Sequence, residues 1–250
     1  MRDSRMGMTE FDWHPPNASL RADVLRASLF AFVLVGTTAM TIRAWLQLGS
    51  LYPGKAAAVF IVGMALAFAD ARAHHPHARF GLANHVTMIR VVVVALIASL
   101  IGEAEIPRAA LAAAIATGLM TVLDGLDGWL ARRSRMASAF GARFDMETDA
   151  ALVMAMSILV WQHDKAGAWA LAGGLMRYVF VAAGWFLPWM ARPLRPTRRA
   201  RVITVCHTVA LSVGLAPFVR VPLSTLAVGL TTAALAWSFA IDVRRLWRMD

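Results

Sequence analysis

Two pairs of aspartates carry the chemistry that this chain could perform. Asp124 and Asp127 stand three residues apart, and Asp145 and Asp149 four apart, within the stretch DGLDGWLARRSRMASAFGARFDMETD. On a helix both spacings set the paired carboxylates on one face. The connection between the pairs is short and basic, so the two helices are antiparallel neighbours whose acidic faces can meet. Four carboxylates brought together repel one another and are costly to bury without compensation. Hard oxygen ligands in this number suit two divalent ions, Mg²⁺ or Mn²⁺. A pair of such ions serves displacement at phosphorus, where attacking and leaving oxygens are stabilised together. Gly125, Gly128 and Gly141 let the backbone beside the acids approach a bulky ligand, and Arg132 offers a planar donor set for phosphate. The competing reading is a solvated rim of acids that cap helices or pair with the loop arginines.

The elements that must position these acids are membrane helices. Of 250 residues, 59% are hydrophobic, and the mean hydropathy is +0.59. The apolar residues cluster in long runs, and about 20 such residues cross a bilayer core. Eight spans are expected, at roughly 24–47, 55–71, 86–102, 107–131, 144–162, 166–190, 201–219 and 222–242. The second and third are short for a span. The polar start, MRDSRMGMTEFDWHPPN, precedes a long apolar run without a small-residue cleavage site, and we read that run as a retained helix. The fold class is therefore all-α and polytopic. The one cysteine, Cys206, lies in an apolar run and is expected to be a small core residue.

The charges give an orientation. With the N-terminus in the cytoplasm and eight spans, 18 of the 25 basic residues fall on the cytoplasmic side and four, Lys55, Arg108, Lys165 and Arg220, on the other. The positive-inside rule requires this asymmetry. In a soluble protein the net charge of +10 would suggest nucleic acid. Here the basic run Arg192–Arg201 lies between two spans, where lipid head groups and topology explain it and no nucleic-acid partner is expected. His74, His75 and His77 read as a solvated loop rather than a transition-metal site, His207 as a satisfied interior histidine, and Glu147 as an acid on a different face from Asp145 and Asp149.

The acidic stretch reads D-x2-D-G-x2-A-R-x8-G-x3-D-x3-D through Asp124, Asp127, Gly128, Ala131, Arg132, Gly141, Asp145 and Asp149. It resembles the signature of the CDP-alcohol phosphotransferases (the CDP-alcohol phosphatidyltransferase family). Upstream, Phe80–Arg90, FGLANHVTMIR, looks like the segment with Asn, Thr and Arg that precedes the first core helix in that family, with Ala83 where many members have proline. The resemblance implies a six-helix core over residues 80–250, with residues 1–79 as an extension bearing two further transmembrane helices. It implies that Asp124, Asp127, Asp145 and Asp149 bind the metals and that Asp149 also takes the proton from the acceptor hydroxyl. It places the cytidine diphosphate group against Asn84, Thr87, Gly128, Arg132, Ser138 and Gly141. The implied reaction is attack of an alcohol on the β-phosphate of a CDP-alcohol lipid such as CDP-diacylglycerol, with release of CMP, in phospholipid synthesis. A homodimer in the bacterial inner membrane is implied, with both termini and the active site on the cytoplasmic side.

The acceptor alcohol is less constrained. Arg177, within the sixth span, and Arg198, Arg199 and Arg201, at the start of the seventh, would suit a phosphorylated acceptor such as glycerol 3-phosphate. The same four could instead be a structural ion pair and a topology signal. From another class, a transporter or ion channel would also hold intramembrane acids, but nearer the midplane on broken helices. A pseudoenzyme serving an assembly is a third reading, and the intact motif argues against it.

Overall fold

The computed structural model describes residues 18–74, 82–103, 106–134, 139–192 and 197–248. Inside a bilayer a backbone amide has no water to bond, so the chain satisfies its own backbone in helices. Among the described residues eight α-helices follow one another: α1 (Ala18–Leu46), α2 (Tyr52–His74), α3 (Leu82–Ala98), α4 (Pro107–Ser134), α5 (Ala139–Gln162), α6 (Leu171–Phe186), α7 (Arg198–Leu215) and α8 (Val221–Trp247). No strand occurs among the described residues. The protein is an all-α polytopic membrane protein. Ala22–Leu46, Ala168–Phe186 and Val221–Trp247 are each long and apolar enough to cross a membrane, and Tyr52–Leu66, Asn84–Ala98 and Pro107–Val122 are shorter apolar stretches. Leu29, Phe30, Trp185, Phe186, Leu230 and Trp237 point outward, each more than half exposed. In water such a surface would associate, whereas lipid solvates it.

Each expected span is present, with shifted ends. α3 starts at Leu82, so the Asn84–Arg90 segment lies inside the first core helix rather than before it. α5 starts at Ala139, earlier than expected. α6 is shorter than its apolar run and is flanked by 3₁₀ turns at Ala168–Ala170 and Pro188–Ala191. Pro188 lacks an amide hydrogen and its ring clashes with the preceding turn, which ends the helix. Cys206 is exposed, not a core residue: it lies on the outward side of α7, next to the buried His207.

α3 is the central post, packed against α1, α2, α4 and α5. It is apolar nearly all round, as a helix surrounded by others must be, with Val92, Ala95 and Ile97 all under a few per cent exposed. α1 and α2 meet along seams of period four: Ala31, Val35 and Ala39 on one helix, Ala56, Phe60 and Met64 on the other, all buried. Small residues there let the backbones approach, the main source of packing energy in lipid. α7 packs on α4, α5 and α8, and α6 on α5 and α8.

At one end of the bundle the loops are laced together. Glu103 accepts from the Gly49 amide (2.7 Å) and from Lys55 (2.5 Å), and the Lys55 ammonium also donates to the Ile101 carbonyl (3.0 Å). Tyr52 donates to the Leu96 carbonyl (3.0 Å), which fastens α2 to α3. Gln162 accepts from the Gly102 amide (2.8 Å) and donates to the Glu103 carbonyl (3.1 Å). Lys165 donates to the Val219 carbonyl (2.7 Å), closing the α5–α6 and α7–α8 turns on each other. Burial alone would raise the Glu103 pKa. The hydrogen bonds from Lys55 and Gly49, together with the Lys55 charge, outweigh it and hold the carboxyl below its ordinary 4.5.

Candidate metal centre and active site

The acids lie at the opposite end. Asp145 and Asp149 occupy the second and third turns of α5, and Asp124 is about three turns from the end of α4. They are thus further inside their helices than the spans read from sequence suggested. α4 and α5 both pack against α3, which sets their acidic faces across from one another. One carboxylate oxygen from each of Asp124, Asp145 and Asp149 lies within 4.8 Å of the other two. Each side chain is about one-third exposed, at 33%, 32% and 35%. That exposure leaves the cluster open to an ion or a ligand from the membrane surface.

At the centre of the cluster is Arg90 of α3, 1% exposed. Its guanidinium bonds Asp145 through one terminal nitrogen and Asp149 through the other. The first nitrogen also lies 3.4 Å from Asp124 Oδ1. Arg90 therefore ties α3, α4 and α5 together at the depth of the acids. Converging carboxylates that already gather round a cation fit the divalent ions expected there, in donor type and in charge.

The remaining expected residues fall into three groups. Asn84 and Thr87 are buried on α3, about two turns and one turn before Arg90. Gly141, half-buried, lies one turn before Asp145 on α5. The side chains of Asp127, Gly128 and Arg132, on the helical backbone of α4, and all of Ser138 lie outside the described residues. His75 and His77 do as well.

The arginines proposed for an acceptor are dispersed. Arg177 pairs with Glu147, on the face of α5 away from the acidic cluster. Arg199 pairs with Asp242 of α8 at 2.6 Å, donates to the Ser238 carbonyl at 3.2 Å, and lies 5.7 Å from the Trp237 ring centre. Arg198 and Arg201 are exposed at the start of α7. His207 is fully buried, with Nδ1 3.0 Å from Thr231 Oγ1, while its Nε2 has no partner among the described residues, so it is only half satisfied there.

A cavity opens beside Asp124 and Asp149, walled by Arg90, Thr121, Thr204 and Thr208. Thr121 and Thr208 donate to the Thr117 and Thr204 carbonyls of their own helices, which leaves hydroxyl lone pairs as acceptors. Neither these threonines nor the central place of Arg90 was read from the sequence. The available signals were periodic: Thr121 is three residues before Asp124, Thr204 and Thr208 are four apart, and Asn84, Thr87 and Arg90 recur every third residue.

A buried arginine ringed by carboxylates from two neighbouring helices defines a membrane protein with an embedded acidic centre whose oxygens could hold a metal ion. Residues 80–241 match the family model of the CDP-alcohol phosphatidyltransferases. The chain belongs to that family of membrane transferases of phospholipid biosynthesis. It is also similar to a CDP-diacylglycerol--glycerol-3-phosphate 3-phosphatidyltransferase of Bacillus subtilis (strain 168), 31% identical over 101 residues, covering 36% of this chain and 52% of that one. The chain thus matches about half the length of that curated relative. No solved structure matches the chain.

Proposed function

We propose that the protein transfers a phosphatidyl group from CDP-diacylglycerol to a small phosphorylated alcohol, glycerol 3-phosphate being the leading candidate, with release of CMP. The observation that carries this reading is the convergence of Asp124, Asp145 and Asp149 within 4.8 Å inside the family-matched core. The donor and acceptor come from the name of the Bacillus relative and apply to this chain by likeness.

Asp124, Asp127, Asp145 and Asp149 would hold two divalent ions, Mg²⁺ or Mn²⁺, which when bound offset the negative charge of the diphosphate. Asn84, Thr87, Gly128, Arg132, Ser138 and Gly141 would hold the cytidine diphosphate along α3 and the α4–α5 connection. The acceptor enters beside Asp149, at the cavity walled by Thr121, Thr204 and Thr208. Its hydroxyl oxygen bonds the β-phosphorus, the bond from that phosphorus to the CMP oxygen breaks, and the hydroxyl proton passes to Asp149. Arg201 lies three and seven residues before Thr204 and Thr208, on the same face of α7. Arg177 and Arg199 are engaged by Glu147 and Asp242, which supports Arg201 and its exposed neighbour Arg198 as the arginines that would hold an acceptor phosphate.

Residues 1–79 are proposed as an extension with two transmembrane helices, α1 and α2, which pack on α3, the acidic end as cytoplasmic, the membrane as a bacterial inner membrane, and the state as a homodimer, the last from family likeness alone. The test is incubation of the purified protein with CDP-diacylglycerol and a panel of alcohols, following CMP and the lipid product. CMP release with glycerol 3-phosphate, abolished by EDTA, is expected. Substrate flux into liposomes without CMP release would favour a transporter instead.

A further inference from the structure

The reaction scheme leaves Arg90 without a task, yet it is among the most deeply buried side chains of the protein. A buried arginine persists only where its charge is matched, and here three carboxylates match it. Two of its partners, Asp145 and Asp149, give it their Oδ1 atoms, and both belong to the cluster of converging carboxylates. A guanidinium brings one positive charge to three negative ones, so the cluster retains attraction for further cations. A divalent ion arriving there meets the carboxylates already gathered, and also meets a like charge in contact with them.

We propose that Arg90 is a built-in placeholder cation. In the metal-free protein it gathers the acids of α4 and α5 and keeps α3, α4 and α5 docked at this depth. When divalent ions bind, it competes with them for the carboxylate oxygens and so holds the metal affinity down. It is a positioning residue for the metal centre, not a group that touches the substrate. The inference rests on the metal reading of the acidic cluster given above.

The test uses the full chain in detergent micelles, stripped with EDTA and titrated with Mn²⁺ alone. Free Mn²⁺ is followed by electron paramagnetic resonance, and the unfolding midpoint is measured with and without the ion. Two variants are compared with wild type. Arg90→Gln removes the charge. Its metal-free midpoint should fall, Mn²⁺ should restore more of it than it adds to wild type, and Mn²⁺ should bind at least about tenfold more tightly once the like charge is gone. Arg90→Lys keeps a charge but cannot fork between two carboxylates, so both effects should be intermediate. The inference is overturned if the variants bind Mn²⁺ no more tightly than wild type. Should Arg90→Gln fail to fold even with Mn²⁺ present, Arg90→Lys decides by the same criterion. Wild-type protein that binds no Mn²⁺ would remove the metal reading and this inference with it; wild-type binding that both variants merely match removes the inference alone.

Discussion

Gly174 of α6 measures how tightly the wall behind the acidic helix is built. A side-chain carbon placed on its backbone would lie 2.7 Å from the Met154 Cα and 3.2 Å from its Cβ, where ordinary contact begins at 3.4 Å. The nearest obstacle is backbone, so Gly174→Ala must push α5 and α6 apart by several tenths of an ångström, because the interior is close-packed. Overpacking of this kind costs about 1–3 kcal/mol, set against at most about 1 kcal/mol gained from alanine's helix propensity. A net loss of up to about 2 kcal/mol follows. Gly118→Ala in α4 is the control: nothing lies within 4 Å of its added carbon, so only the propensity gain remains. Met154 is on the helix that carries Asp149, and a carboxylate misplaced by about 1 Å can cost about 10²-fold in rate. The unfolding midpoint in detergent and the rate of CMP release should both fall for Gly174→Ala and hold for Gly118→Ala. A Gly174→Ala protein as stable and active as Gly118→Ala would refute the reasoning about the α5–α6 contact.

Three further outcomes are expected. Asp149→Asn should lower turnover by about 10²-fold or more with the fold preserved; unchanged turnover would reject the role of Asp149 as base. Glu103 has a depressed pKa in the folded protein, so its contribution is full above its ordinary 4.5 and is lost as pH falls through the lower folded value. Glu103→Gln should therefore be less stable than wild type at neutral pH, with the gap closing under acid, as midpoints measured across pH will show. Arg201→Gln should raise the KM for a phosphorylated acceptor and leave that for the CDP donor unchanged, whereas Arg199→Gln, which loses Asp242 and the Ser238 carbonyl, should lower the unfolding midpoint.

The helical architecture and the acidic pair on each of two helices were legible because both are local. Apolar run length decides a span, and a spacing of three or four decides a helical face. Helix ends were less so. α5 begins at Ala139 because AFGAR continues the helix despite its low hydropathy, and α6 stops before Pro188 although the apolar run goes on. Partnerships were not legible at all. Arg90 was the last residue of a family-like segment with no partner legible until the fold brought residues 55 and 59 positions away against it. Arg177 and Arg199 looked equally suited to a phosphate, and the fold gives them to Glu147 and Asp242, 30 and 43 positions distant. Periodicity says which face a side chain takes. Which helix lies opposite is set by packing over the whole bundle.

The most direct test of the metal centre is anomalous scattering from the protein crystallised with Mn²⁺ and a CDP-lipid. The account predicts manganese between α4 and α5, ligated by oxygens of Asp124, Asp145 and Asp149, with the diphosphate beside it. Manganese bound elsewhere, or a diphosphate seated away from those three carboxylates, would contradict it.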